Sequence, residues 1–170
     1  MGLFDFFTGT KRPKSGISPK SDHAVAGTIL ALNRDSAPFT TQPDPSDSAD
    51  FIAEWKIVDA KWYEIFAKAG LTRVFRIRMK LDPVKNEVRA VDEEFELSWS
   101  AGVPTLKAAA SGFRGQKTEM SFGTAYAFTE TLAPGQVYKY RFDTKEIKTP
   151  LQEAVTDCGW TWRGVSFGKL

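Results

Sequence analysis

The sequence predicts a single α+β domain, in which a long amphipathic helix packs on one face of an antiparallel sheet of about six strands. Three observations support this fold class. Strand patterns separated by turn-rich breaks follow one another from residue 71 to residue 143, and segments of helical periodicity stand before and after them. The 170 residues, 42% of them hydrophobic, suit one packed domain. We expect a flexible N-terminal tail over residues 1–20 and the domain over residues 21–170, with short helices before and after the sheet.

The charge and cysteine content bound the class of protein. The net charge is +2, from 23 basic and 21 acidic residues, which disfavours nucleic-acid binding because a phosphate-binding surface needs clustered positive charge. The one cysteine rules out an internal disulfide and fits a reducing compartment. No apolar run reaches the roughly 20 residues of a membrane span, and the N-terminus does not have the order of a signal peptide. We expect a cytoplasmic protein, and the sequence predicts no metal and no cofactor.

Residues 1–14 combine a short aromatic stretch with a basic stretch that contains glycine and proline. One hypothesis is an interfacial anchor, in which apolar side chains enter an anionic membrane surface and cations face its head groups. The alternative is that the apolar side chains pack onto the domain or fray. The residues of the membrane hypothesis are Leu3, Phe4, Phe7, Lys11, Arg12 and Lys14. A peripheral position at the membrane is thus the alternative to a purely cytoplasmic location.

A first helix is predicted over residues 21–33. Ser21 or Asp22 can cap it, and Val25 begins a series of apolar residues at helical spacing. His23 lies in its first turn and has no partner at ligand spacing. It is therefore a poor metal ligand and a poor general base.

The principal helix is predicted over residues 49–69, after a proline-rich loop at residues 34–48. Ser48 can cap this helix, and Gly70 can end it. Its apolar residues form one continuous stripe at helical spacing. The stripe consists of Phe51, Trp55, Val58, Trp62, Ile65, Phe66 and Ala69. A buried stripe of this kind is typical of a helix that lies across a sheet.

Residues 72–81 and 91–99 alternate with a period of two and predict an antiparallel hairpin. Opposite charges favour a register in which three basic residues face three acidic ones. The pairs are Arg76 with Glu96, Arg78 with Glu94, and Lys80 with Asp92. We interpret them as a solvated charge ladder, with an acid–base site as the functional alternative. Glu93 falls outside the alternation.

The candidate binding surface lies near residues 112–128, where a glycine-bounded loop with two cations precedes a strand with one face of small residues. Such a face is typical of close approach by a packed helix or a ligand. The candidate residues are Phe113, Arg114, Lys117, Phe122 and Tyr126. Their pattern matches neither a phosphate loop nor an RNA-recognition motif.

The chain is expected to end with a strand at residues 136–143, a helix at residues 149–157 and an apolar strand at residues 160–167. Thr149 and Pro150 suit the cap and the first position of that helix. Cys158 falls on the apolar side and is interpreted as a buried, inert thiol. We expect the last strand to return to the sheet.

Three classes of function remain open. The first is a non-enzymatic binding or accessory module, which uses the surface near residues 112–128 to hold a protein partner or a small apolar ligand. The second is a peripheral membrane protein held by its N-terminus. The third is an enzyme without a recognisable motif, with Glu93, His23 or Tyr126 as acid–base candidates. Sheet edges also offer a route to a homodimer.

Overall fold

The computed structural model describes residues 9–56, 73–100, 103–108, 114–115, 126–129, 137–140, 144–165 and 170. The helices in this part of the chain are α1 (Asp22–Leu30) and α2 (Thr144–Thr156). The strands are β1 (Phe39–Pro43), β2 (Phe51–Trp55), β3 (Arg73–Asp82), β4 (Glu87–Ser100), β5 (Val103–Ala108), β6 (Arg114–Gly115), β7 (Tyr126–Thr129), β8 (Val137–Tyr140) and β9 (Thr161–Gly164). The predicted α+β class, with a mostly antiparallel sheet, is confirmed.

The main sheet is organised around β4, which has 14 residues. Strands β1 to β5 lie side by side in chain order, and each of the four pairs among them is antiparallel. The side of β4 away from β3 takes three successive partners because the strand is long. Its residues 87–90 pair with β9, residues 92–93 pair with β6, and residues 95–100 pair with β5. Strand β9 is parallel to β4, as expected when a chain returns through a crossover helix such as α2.

The register of the β3–β4 hairpin differs from the predicted one by three residues. Arg76 lies opposite Glu93, where the charge pattern predicted Glu96. The turn decides the register, because β4 begins at Glu87 directly after a four-residue connection. Asn86 closes that connection with a positive φ of 50°, a conformation that asparagine tolerates better than most residues.

The shift has an odd number of residues, so it moves the acidic residues of β4 to the other face of the sheet. Asp92 lies opposite Ile77, and Glu94 lies opposite Phe75, on the face that carries the core. Both carboxylates are buried. The predicted solvated ladder of Arg76, Arg78 and Lys80 with Glu96, Glu94 and Asp92 is therefore wrong.

The predicted long helix is wrong at its start, because residues 51–55 form strand β2. This strand pairs with β1 on one side and with β3 on the other. Phe51 and Trp55 are four residues apart, a spacing that fits both a helical face and a strand face. Ala53 completes the strand face and is fully buried. Residues 57–69 of the predicted helix lie outside the described residues, and the predicted loop at 34–48 contains β1.

Helix α1 confirms the first predicted helix, with the Ser21 hydroxyl accepting a hydrogen bond from the Ala24 backbone N–H at 3.3 Å. Helix α2 begins at Thr144, five residues before the predicted start at Thr149, so Pro150 lies inside it. Ile147, Leu151 and Val155 explain this extension, because spacing by four residues puts them on one buried helical face. The two helices cover the core face of the sheet.

The C-terminal strand returns to the sheet, as predicted, and Trp162 within it and Trp160 directly before it are buried. The free side of β9 pairs with the N-terminal segment. The backbone N–H of Lys11 donates to the Trp162 carbonyl at 2.8 Å, and the Trp162 N–H donates to the Lys11 carbonyl at 2.8 Å. The Lys20 N–H donates to the Cys158 carbonyl at 2.9 Å, and the Trp160 indole donates to the Lys20 carbonyl at 2.8 Å. At these positions the predicted tail is held against the domain by backbone hydrogen bonds.

Candidate functional site

Two of the five predicted binding residues lie in the described part of the chain, and they belong to different sheets. Arg114 lies in β6, opposite Glu93 of β4. Tyr126 lies in β7, which pairs with β8 as a separate two-stranded ribbon, and it lies opposite Tyr140. The other three candidates are Phe113, Lys117 and Phe122, and they lie outside the described residues.

Strand β6 reaches β4 at residues 92 and 93, between two groups of charged side chains. Successive residues of a strand point to opposite faces of the sheet. Asp92 therefore belongs to a group on the core face, which we call the inner centre. Glu93 belongs to a group on the opposite face, which we call the outer centre.

The inner centre contains a buried ion pair between β4 and helix α2. The Nζ atom of Lys148 lies 2.6 Å from Oδ2 of Asp92, and the side chains are 10% and 0% exposed. Lys148 reaches this position because it follows the core residue Ile147 in α2. Moving two charges from water into the core is costly, and the attraction between the opposite charges offsets that cost.

Glu94 extends the inner centre by one further carboxylate on the same face of β4. The Nη1 atom of Arg73 donates to Glu94 Oε1 at 2.9 Å. The Glu94 side chain is 8% exposed and that of Arg73 is 53% exposed. This pair therefore reaches the surface, whereas the Asp92–Lys148 pair does not.

The outer centre is built on Asp44, which follows β1. Its Oδ1 accepts hydrogen bonds from the backbone N–H and the hydroxyl of Ser46 at 2.9 and 2.8 Å. Its Oδ2 accepts the Ser48 hydroxyl at 3.0 Å and the Arg78 guanidinium at 2.6 Å. These contacts close a short loop around one buried carboxylate.

This surrounding keeps Asp44 ionised. Burial alone would raise the pKa of the carboxyl, but the hydrogen bonds from Ser46 and Ser48 and the charge of Arg78 outweigh it. The pKa falls from 3.8 to about 2. Asp44 is therefore a fixed charge at neutral pH and not a proton donor.

Arg78 joins Asp44 to β4, because its Nε donates to Glu93 Oε2 at 2.9 Å. Burial lowers the pKa of this guanidinium, but the bonds to Glu93 and Asp44 outweigh it and raise the pKa above its ordinary value. Next along β3, Arg76 pairs with Glu54 at 2.7 Å and lies over the Phe95 ring, 4.8 Å from its centroid. The outer face of the sheet thus carries charged residues bound to one another.

The predicted catalytic candidates do not assemble into one site. Glu93 pairs with Arg78, whereas His23 is exposed at the start of α1 and Tyr126 is in the ribbon. Cys158 is buried, with its Sγ 3.5 Å from the Thr28 hydroxyl. Among the described residues, no group of three or more His, Cys, Asp or Glu side chains is arranged to hold a metal ion.

Sequence reasoning did not assign four residues to these centres. Asp44 and Ser46 were assigned to a loop and Ser48 to a helix cap, although their Asp-x-Ser-x-Ser spacing is the local signal for the turn they form. Lys148 was placed before the last helix. No local pattern could have identified it, because its partner Asp92 is 56 residues away in the chain.

The cations of the membrane hypothesis lie on the surface. Lys11, Arg12 and Lys14 are exposed on the segment that pairs with β9. The apolar members of that hypothesis, Leu3, Phe4 and Phe7, lie outside the described residues. Within the described ranges, neither helix has the length and apolar character that crossing a membrane requires.

No known protein family matches the chain, and comparison with curated proteins and with solved structures likewise yields no match.

Proposed function

We propose that the protein is a non-catalytic binding module, with the β7–β8 ribbon as its main contact surface. The observation that carries this proposal is the register of the ribbon, in which Tyr126 lies opposite Tyr140 and Phe128 lies opposite Tyr138. Alternation along the two strands puts these four aromatic residues on the same face. Large aromatic residues are enriched among the residues that dominate binding energy.

A two-stranded ribbon is marginally stable by itself in water. An aromatic face on such a ribbon therefore gains stability when an apolar surface covers it. A protein partner or a small apolar ligand has the chemistry to do this. On the other face Ala127 is opposite Lys139 and Thr129 is opposite Val137, and none of these four residues is aromatic.

The two charged centres support binding rather than acid–base chemistry. A general acid or base must change its protonation state near the working pH. Asp44 titrates at about 2 and remains ionised. Lys148 and Asp92 form an ion pair inside the core, and their contact joins α2 to β4. These groups connect elements of the main sheet and helix α2 to one another.

The proposal is tested with apolar dyes as probes. We would measure the fluorescence of anilinonaphthalene sulfonate and of uncharged Nile red with the full chain and with a Tyr126→Ser/Tyr140→Ser variant. We expect the substitution to reduce the enhancement of both dyes several-fold. A matched Ala127→Ser/Lys139→Ser variant changes the opposite face and should leave it unchanged. Equal dye binding by all three proteins would contradict the proposal, provided that their circular dichroism spectra agree.

A second candidate is attachment to an anionic membrane surface, and the exposure of Lys11, Arg12 and Lys14 favours it. Each cation near such a surface contributes about 1 kcal/mol, and salt screens the attraction. The hydrogen bonds between Lys11 and Trp162 hold these cations at a defined place on the domain.

This candidate is tested by co-sedimentation with phosphatidylserine-containing vesicles at low and high salt. We would compare the full chain, a chain that begins at Gly9, and a Lys11→Ser/Arg12→Ser/Lys14→Ser variant. Starting at Gly9 retains the Lys11–Trp162 pairing, whereas starting at Lys20 would remove it. Salt-sensitive binding that both changes weaken would support membrane attachment. Absence of binding by the full chain at low salt would exclude it.

A further inference from the structure

We propose that the side chain of Asn33 closes the outer edge of β1 and so prevents this strand from pairing with a second copy of the chain. Within the described residues, β1 is the end strand of the main sheet. An end strand presents backbone donors and acceptors to any other extended chain, which makes it a common site of edge-to-edge association.

The backbone groups of Thr41 point away from the sheet. In an antiparallel pair, alternate residues direct both N–H and C=O to the partner strand and the residues between them direct both groups outward. The Asp44 N–H donates to the Asp50 carbonyl at 3.1 Å, and the Lys56 N–H donates to the Pro38 carbonyl at 2.8 Å. Even-numbered residues of this segment thus face β2, and Thr41 faces outward.

The amide of Asn33 occupies both outward groups of Thr41. Its Nδ2 donates to the Thr41 carbonyl at 2.7 Å, and its Oδ1 accepts from the Thr41 N–H at 2.7 Å. A residue of a neighbouring antiparallel strand would exchange this same pair of hydrogen bonds. The side chain therefore takes the place of a strand at the centre of the edge.

Proline strengthens the block at the next outward position. Pro43 has no N–H, so it offers an incoming strand no donor there. Among the outward positions 39, 41 and 43, one donor is thus missing and another is already in a short hydrogen bond.

Asn33 is held in place by the connection between α1 and β1. Its N–H donates to the Leu30 carbonyl at 3.2 Å at the end of the helix. The Thr41 hydroxyl donates to the Ile29 carbonyl at 3.0 Å, and the Thr40 hydroxyl donates to Asn33 Oδ1 at 3.1 Å. The end of α1 and the edge strand therefore form one hydrogen-bonded unit, which keeps the amide oriented.

The partner that the Asn33 amide excludes is strand β1 of a second copy of the chain. Two β1 strands related by a two-fold axis at Thr41 would pair antiparallel and exchange the two Thr41 hydrogen bonds directly. Removal of the Asn33 amide frees both groups for that pairing.

The test is the mass in solution, measured by light scattering and sedimentation over a range of concentrations. We expect Asn33→Ala to form a dimer with twice the mass of the wild-type particle. Asn33→Asp loses the same donor but retains an acceptor for the Thr41 N–H and adds charge to the edge, so its mass should remain that of the wild type. In Asn33→Ala/Thr41→Pro the outward N–H is removed, and the dimer should be lost.

Circular dichroism and melting curves would establish that each variant is folded. A folded Asn33→Ala protein that retains the wild-type mass at high concentration would overturn the proposal. Equal association by Asn33→Ala and Asn33→Ala/Thr41→Pro would also overturn it, because the association would then not use the Thr41 backbone. Thr41→Pro alone controls for the loss of the threonine hydroxyl and should match the wild-type mass.

Discussion

The ammonium group of Lys148 lies 2.6 Å from the carboxylate of Asp92, and this ion pair joins helix α2 to the central strand β4 inside the core. Its partners are separated by 56 residues in the chain. A buried ion pair of this kind favours one position of the helix on the sheet, because a displaced helix would separate the two charges inside the core.

Lys148→Met is expected to lower the free energy of unfolding by about 3–5 kcal/mol, because it removes the cation that pairs with the buried Asp92 carboxylate. Urea denaturation followed by circular dichroism measures this loss. Lys145→Met, at an exposed position of the same helix, should change the stability by less than about 1 kcal/mol.

The double variant Asp92→Asn/Lys148→Met completes the thermodynamic cycle. Its cost should be smaller than the sum of the two single costs, because removing both charges leaves no buried ion behind. Additive single costs would show that the two side chains are energetically independent.

Acid should remove the stabilisation that Asp44 provides. Its folded pKa of about 2 is below its ordinary value of 3.8, so the unfolded chain binds the proton more readily than the folded protein. The contribution of roughly 2 kcal/mol is therefore fully present above about pH 4 and is lost as the pH falls through about 2. Urea unfolding measured from pH 2 to pH 6 should show Asp44→Asn destabilised at pH 6 and close to the wild type at pH 2.

Asp47→Asn provides a matched control, since it changes an exposed carboxylate in the same loop. Its stability relative to the wild type should depend little on pH. If Asp44→Asn and Asp47→Asn had the same pH dependence, the hydrogen bonds around Asp44 would not be the cause.

Gly159→Ala should destabilise the protein by about 1–3 kcal/mol. Gly159 has a φ of +75°, and an added Cβ would lie 2.7 Å from the Ser18 carbonyl oxygen. Gly27→Ala should instead stabilise it by up to about 1 kcal/mol, because that position is helical and open. Thermal melts of the two variants should therefore shift in opposite directions. A shared direction would contradict the packing of the N-terminal segment against Gly159.

Cys158 should react with a thiol reagent only when the protein opens. The residue is 1% exposed, and its backbone carbonyl accepts a hydrogen bond from the Lys20 N–H. Labelling by dithiobisnitrobenzoate should be slow in buffer and fast in concentrated urea. Rapid native labelling would show that the C-terminal segment opens locally. Starting the chain at residue 21 removes the hydrogen bond between the Lys20 N–H and the Cys158 carbonyl. This change should raise the labelling rate of the native protein.

Local signals predicted several elements correctly, each for a reason that lies within a few residues. Ser21 caps α1 through its own hydroxyl. The period of two in β3 is visible in its alternating basic and apolar residues. The apolar residues around Trp162 indicated a strand that returns to the sheet. These features depend on spacing and capping, which the sequence contains in full.

Tertiary structure decided what the local pattern left ambiguous. Phe51 and Trp55 fit a helix or a strand equally well, and pairing with β3 selected the strand. Charge matching favoured Arg76 opposite Glu96, but the short turn before Glu87 placed it opposite Glu93. An exposed pair contributes less than about 1 kcal/mol, so charge pairing was too weak to override the register that the turn set.

The sequence by itself determined the fold class, the Ser21 cap of α1 and the alternation of β3, because these depend on residues near one another in the chain. The buried partner of Asp92 and the amide that closes the edge at Thr41 were decided only by tertiary structure. The physical reason is that a charge or a backbone group buried in the core must find a partner in space, and its neighbours in space are set by the complete sheet and its helices.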